Sequence, residues 1–283
     1  MEHIVINTKH LRTTRVMISI LNTHTIDEET TIDLSKSFIR PYALFLLIFT
    51  IKNTVGEHNQ ITFIPSKKNY LYQINAYDYF QGKYYYSDLS TTHGFGSKIT
   101  SIRLTQFLME KKYINYAEIE NISNKFVEMH DHKFLININY IVFLIHMFRE
   151  LFRNFVEHSY GSTITIYSHI LPRVNLFEIA FFDNGKGLTY SLAKNEKLKR
   201  LLDDGVKPID LALEPGISSK SNVNKLLPEF KDWENSGYGL SVIKESCLAL
   251  RGEFISSGKE GKIFDYFHST VEDFQCNIKG VGI

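Results

Sequence analysis

Cysteine is scarce: Cys247 and Cys276 are the only two in the chain. Two are too few for a disulfide scaffold or a cysteine metal site, and each reads as a small buried hydrophobe in a reducing compartment. A surplus of charge of either sign is also missing. With 32 Lys and Arg against 31 Asp and Glu, the formal net charge is +1, which gives no electrostatic reason to expect nucleic acid or an anionic membrane as the main partner. Long apolar runs are absent as well. Tyr42–Ile51, which contains one Thr, and Tyr140–Phe148, interrupted by His146, both fall short of the roughly 20 residues that span a bilayer. The opening Met-Glu-His-Ile-Val-Ile-Asn has no basic stretch leading into an apolar core, so no signal peptide is expected. His93, His130 and His132 lack the spacing with acidic partners that zinc sites use. Gly94-Phe95-Gly96 has no basic residue or helix start in register to make it a phosphate loop. A cytoplasmic protein with no membrane or nucleic-acid partner is expected.

At 283 residues and 43% hydrophobic, the chain has room for a good core and two domains. In the first of these, placed at residues 1–115, Val16–Leu21 and Thr30–Leu34 read as strands rich in β-branched residues. Pro41 opens an apolar helix running to Lys52, in the favoured first-turn position. Gln60–Ile64 reads as another strand, and Asn69–Phe80 as a helix. Alternating strands and helices of these lengths predict an α/β unit with a parallel pair. Tyr84-Tyr85-Tyr86 and Thr91–Gly96 read as a polar, aromatic connection, and Asn115–His130 as a bridging helix. Ile32-Asp33-Leu34-Ser35 with Phe38-Ile39, the helix after Pro41, Ile61–Ile64 and Tyr70-Leu71 resemble the STAS-like domains of anti-sigma antagonists. Where that family carries a phosphorylatable Ser at the helix start, this chain has Arg40-Pro41-Tyr42-Ala43. The resemblance implies a recognition or dimerisation module, and a homodimer.

The second domain, residues 116–283, is organised around Arg149–Ser159, which continues the apolar run from Tyr140 as one long helix. Residues four apart share a helix face, so Glu150 and Asn154 point the same way, with Glu157 close to that stripe. Leu151, Phe152, Phe155 and Val156 cover much of the opposite side. Taken alone, the stripe reads as a solvated helix face, since charged residues are mostly exposed. A bare buried carboxylate, by contrast, costs several kcal/mol unless something pairs with it.

Twelve of the sixteen glycines follow Tyr160, so close backbone geometry is concentrated there. Ser162–Tyr167 and Leu176–Phe182 read as strands, the second running straight into Asp183-Asn184-Gly185-Lys186-Gly187-Leu188. Such a turn is common in itself. It also lets a backbone pass close to a flat ligand while Asp183 accepts a hydrogen bond from an exocyclic amine. Further on come Gly216-Ile217-Ser218-Ser219-Lys220 and Gly237-Tyr238-Gly239-Leu240, the latter opening the apolar helix Ser241–Leu250. Backbone amides at a glycine-rich helix start make an anion site. Gly252–Gly258 and later strands, ending at Lys279–Ile283, would complete the sheet.

In that order, Glu150-x3-Asn154, Asp183-x-Gly185-x-Gly187, Gly216-x-Ser218-Ser219-Lys220 and Gly237-x-Gly239-Leu240 resemble the GHKL superfamily, which takes in gyrase, heat-shock chaperone ATPases, histidine kinases and mismatch-repair ATPases. The resemblance covers residues 135–283. It implies a two-layer α/β sandwich, with a mixed sheet and helices on one face, holding ATP and Mg2+ under a mobile lid at 188–233. Carried to the matching positions, Glu150 is the general base, Asn154 the magnesium ligand and Asp183 the partner of the adenine amine, with Gly185 and Gly187 shaping its pocket. Ser218, Ser219 and Lys220 are implied phosphate contacts, and Gly237, Gly239 and Leu240 offer amides to the phosphates. His146 lies on the catalytic helix itself, so it is not a phosphoacceptor on a dimerisation helix. The implied activity is a soluble ATP-hydrolysing switch that regulates a protein partner. The alternatives are a serine/threonine kinase of the anti-sigma type and a non-hydrolysing ATP sensor.

Overall fold

The computed structural model describes residues 3–5, 13–23, 30–33, 42–43, 46–47, 49–50, 62–64, 92–95, 99–108, 117, 120–121, 123–124, 138–171, 176–218, 237–275 and 281–283. The strands β1 (His3–Val5), β2 (Thr31–Asp33) and β3 (Thr62–Ile64) form a parallel sheet in that order, with Ile32 opposite both Ile4 and Phe63. The expected parallel pair is therefore present, and residues 42–43, 46–47 and 49–50 supply the helical crossover that joins two parallel strands. Thr13–Thr23 is a helix, α1, where the β-branched run Val16–Leu21 predicts a strand. Burial explains the difference: Thr14, Met17 and Ile18 are buried while Val16 and Ser19 are exposed, a spacing of three and four that only a helix turns to one side. The expected helix at 69–80 and the triple tyrosine at 84–86 lie outside the described residues. Residues 117, 120–121 and 123–124 are helical, as expected for 115–130.

A second, eight-stranded sheet carries the rest. Its strands are β4 (Thr92–Phe95), β5 (Ile99–Leu108), β6 (Thr163–Leu171), β7 (Leu176–Asp183), β8 (Glu253–Ser257), β9 (Glu260–Asp265), β10 (Thr270–Gln275) and β11 (Val281–Gly282), in the order β10-β9-β8-β11-β7-β6-β5-β4. β4 lies where a polar connection is expected, and β5 has no counterpart in the sequence reading. Both precede residue 115 yet belong to the same sheet as β6. Every pairing is antiparallel, where a mixed sheet is expected. The cause is β11. β7 and β8 run in the same direction, joined through the helices between them, and β11 inserts antiparallel to both, pairing Gly282 with Phe182 on one side and Ser257 on the other.

Along β7, successive side chains alternate between faces. Phe181 joins a core of Leu144, Phe148, Phe152, Phe155, Ile164, Ile166 and Phe254, built around the helix α2 (Ile138–Asn154). Phe182 points the other way, stacking on Phe49 at 4.8 Å between ring centroids and tilted against Tyr42 at 5.5 Å, while Tyr42 Oη donates to Ser257 Oγ at 2.6 Å. Helices therefore cover both faces of the large sheet, not one. The second layer comes from the N-terminal part, whose helical residues carry Tyr42, Ala43, Leu46, Leu47 and Phe49 in buried positions.

α1 is anchored to the same outer face by a single guanidinium. Arg15 bonds Glu253 at 2.9 Å, Asp265 at 3.2 Å and Glu272 at 3.0 Å, one residue from each of β8, β9 and β10. Charge-assisted bonds are each worth about 1.5–3 kcal/mol in a part-buried setting, less where exposed. Arg15→Ala is expected to lower unfolding free energy by about 2 kcal/mol in a denaturant titration. A change under about 0.5 kcal/mol would show that α1 is held by its apolar face alone.

Candidate functional site

α2 does not end cleanly. At Asn154 the helix widens into a π-helical turn, Phe155–Ser159, closed by Tyr160 in the left-handed conformation (φ 57°). Such turns are rare and concentrate at functional sites, because the extra residue re-aims the chain beyond it. Here it brings the Ser159 carbonyl beneath the turn after β7. Lys186 N donates to that carbonyl at 2.7 Å, and Gly185 N donates to Asp183 Oδ1 at 2.7 Å. Asn184 fastens the turn from the other side, its Oδ1 accepting from Ser162 N at 2.9 Å and Thr163 N at 3.0 Å. Asp183 is thereby fixed in a buried position, 7% exposed, at the end of β7.

Asp183 and Asn154 line one cleft, which encloses about 870 Å³ of empty space including its open mouth. Gly187 and Ser218 line it too, and so do Gly237, Gly239 and Leu240. Seven sequence-predicted site residues from four separated motifs thus meet in one place. The walls are largely apolar, as those of small-molecule sites are, with Phe181, Leu188, Leu192 and Ile217 among them. Gly185 is not on the lining; it serves the cleft by holding Asp183. Ser219 and Lys220 fall outside the described residues.

Glu150 is buried just behind this wall, 6% exposed. Its carboxylate lies against Gly239, so that a methyl added there would meet Glu150 before any other group. Gly239 opens an eleven-residue helix, α6 (Gly239–Ala249), and no side-chain cap from Tyr238 occupies its N-terminus. Gly239 and Leu240 line the cleft, so the positive end of the helix dipole lies beside it. Glu150 is ion-paired to Arg153, three residues on along the same helix. Burial pushes the Glu150 carboxyl above its ordinary value of 4.5; Arg153, His146 and Arg149 pull it down, and Glu157 adds to the upward push. Burial wins. The group has the character of a base that is harder to ionise than a surface carboxylate and stronger once ionised.

Sequence reasoning missed several residues of the cleft. Arg153 lines it, and the opposite charges three apart at Glu150 and Arg153 were the available signal. Val281 of β11 and Ile283 just after it line the cleft, and Ile283 exchanges both backbone bonds with Phe181 at 2.7 and 2.8 Å. A closing strand at 279–283 is expected from the sequence, but no local pattern places it beside Asp183. The segment expected as a lid at 188–233 is, as far as 217, a packed wall. α3 (Gly187–Leu192), α4 (Glu196–Asp203) and α5 (Pro208–Leu213) share a core of Leu192, Leu198 and Leu211, and Ile209 and Leu213 join the main core. Gly216 N bonds Gly237 O at 3.2 Å, so the two ends of the stretch beyond that wall stand side by side. Among the described residues no three His, Cys, Asp or Glu side chains converge as a metal set. No family model, curated protein or solved structure matches the chain.

Proposed function

We propose that the cleft binds Mg-ATP and that the chain is an ATPase of the GHKL kind, working as a switch that regulates a protein partner. The observation that carries this reading is the convergence of a buried Asp183, the Asn154 amide and the uncapped start of α6 on one cleft, with the Glu150 carboxylate against Gly239. These four groups match the four needs of a nucleotide triphosphate: a fixed acceptor for the adenine amine, a hard oxygen for magnesium, amides for phosphate and a base for water. The apolar walls suit a purine ring.

Asn154 fits magnesium because its amide oxygen is a hard donor, and that ion takes few protein ligands when phosphates supply the rest. Bound there, the cation would neutralise phosphate charge as it builds. The chain's own part is positional. Asp183 orients the base, the first amides of α6 hold phosphate, and Glu150 accepts a proton from the attacking water. The N-terminal part is suited to a recognition role. Phe49 stacks directly behind Phe182, the neighbour of Asp183, so this layer borders the strand that holds the nucleotide.

Asp183→Asn tests the reading at its base. Asn keeps an oxygen to accept the Gly185 amide, so the turn survives, but its NH2 replaces an acceptor with a donor that opposes the adenine amine. Affinity for ATP is expected to fall about 10- to 100-fold in a calorimetric titration. Affinity equal to that of the wild type would remove the basis for placing adenine at Asp183.

A further inference from the structure

Arg153 occupies an awkward position for a hydrolytic site. Arg153 lines the cleft, its side chain 12% exposed, and its guanidinium is bonded to the carboxylate of the buried Glu150. While that pair holds, the oxygen expected to orient water is engaged by a cation. The pair also lies at the phosphate end, since the same carboxylate oxygen, Oε2, both bonds Arg153 and faces Gly239 at the start of α6. The planar donors of a guanidinium match phosphate oxygens as well as they match a carboxylate. A terminal phosphate held by the first turn of α6 would carry more charge than Glu150 and would compete for Arg153. A diphosphate ends one group earlier and would leave the pair intact.

We propose that Arg153 recognises the terminal phosphate of the nucleotide, exchanging Glu150 for it, so that one residue both selects triphosphate over diphosphate and releases the base. The proposal rests on the nucleotide reading of the cleft. In the step it serves, the water oxygen bonds to the terminal phosphorus as the bond from phosphorus to the bridging oxygen breaks. That bonding pair leaves with ADP, and the water's proton passes to the freed Glu150 carboxylate. Arg153 acts as a specificity-determining and positioning group. It takes no proton.

The test compares affinities for Mg-ATP and Mg-ADP in Glu150→Gln and in Glu150→Gln/Arg153→Met, with the wild type alongside. The Gln background stops turnover and leaves no buried carboxylate stranded when the guanidinium is removed; Glu150→Gln/Arg153→Lys keeps a cation and guards against misfolding. Removing Arg153 is expected to weaken ATP about 10- to 100-fold and ADP by no more than about twofold, with the Lys variant intermediate for ATP. Glu150→Gln alone, freed of the competing carboxylate, is expected to bind ATP as tightly as wild type or tighter. Equal losses for ATP and ADP, or no loss for either, overturn the role of Arg153 while the nucleotide site stands. Failure of the wild type to bind either nucleotide removes the nucleotide reading, and the proposal with it.

Discussion

Glu150→Gln is expected to cut phosphate release from Mg-ATP by about 100-fold or more while leaving the nucleotide bound, since a positioned general base contributes on the order of 10²–10⁴ to such a step. The substitution is conservative in shape, and Gln still reaches Gly239 and Arg153. It removes the acceptor of the proton and the charge that pairs with Arg153. The pH dependence should carry the same signature. Burial holds the Glu150 carboxyl above 4.5, and only its ionised form can act. Release should therefore fall as pH drops through a value above the ordinary carboxylate range, and be complete on the alkaline side of it. The measurement is release of γ-labelled phosphate across pH, wild type beside variant. Unchanged release in Glu150→Gln would reject the assigned role. Label passing from ATP to a protein, with none released, would turn the reading to a kinase. Binding with neither outcome would leave a sensor.

The parts of this site that can be read from sequence are those set by local periodicity. Glu150 and Asn154 are one helical turn apart, and a strand-to-turn sequence delivers Asp183 whatever surrounds it. The glycine-rich start of α6 obeys the same logic, because amides exposed at a helix N-terminus need no distant partner to define them. Long-range pairing is not legible. β11 places Val281 opposite Asp183 from a distant part of the chain, and its insertion turns an expected mixed sheet into an antiparallel one. α1 departs from its expected strand because β-branched residues favour strands only where a pleated, half-buried surface awaits them. The outer face of β8 to β10 offers Arg15 three carboxylates, and the burial of Met17 and Ile18 outweighs propensity. The wall from α3 to α5 packs around a small core of three leucines where the resemblance implies a mobile lid, a packing that no single turn of those helices announces.

Gly185→Ala should separate architecture from chemistry more sharply than any substitution inside the cleft. A methyl on Gly185 would overlap the Ser159 carbonyl oxygen, and would stand 2.6 Å from Asp183 Oδ1 and 2.7 Å from the Ser159 carbonyl carbon. Two of those three neighbours are backbone, and the third is the carboxylate the turn exists to hold. None can swing away. The turn would have to lift off the π-helical turn, breaking the Lys186-to-Ser159 bond and moving Asp183 together. An overpacked site of this kind costs about 1–3 kcal/mol or more, so a loss of about 3 kcal/mol in unfolding free energy is expected, with ATP affinity falling at least about tenfold in the fraction that remains folded. Gly239→Ala is the informative contrast. Its methyl would meet the tip of Glu150, a flexible side chain that can turn aside, so stability should change by no more than about 1 kcal/mol. The base would nonetheless be displaced, and phosphate release should fall nearly as far as in Glu150→Gln. If Gly239→Ala kept full hydrolysis, the approach of Glu150 to the start of α6 would have no part in the reaction. If Gly185→Ala were as stable as wild type, the turn would not be the rigid support for Asp183 that its bonds to Ser159 describe.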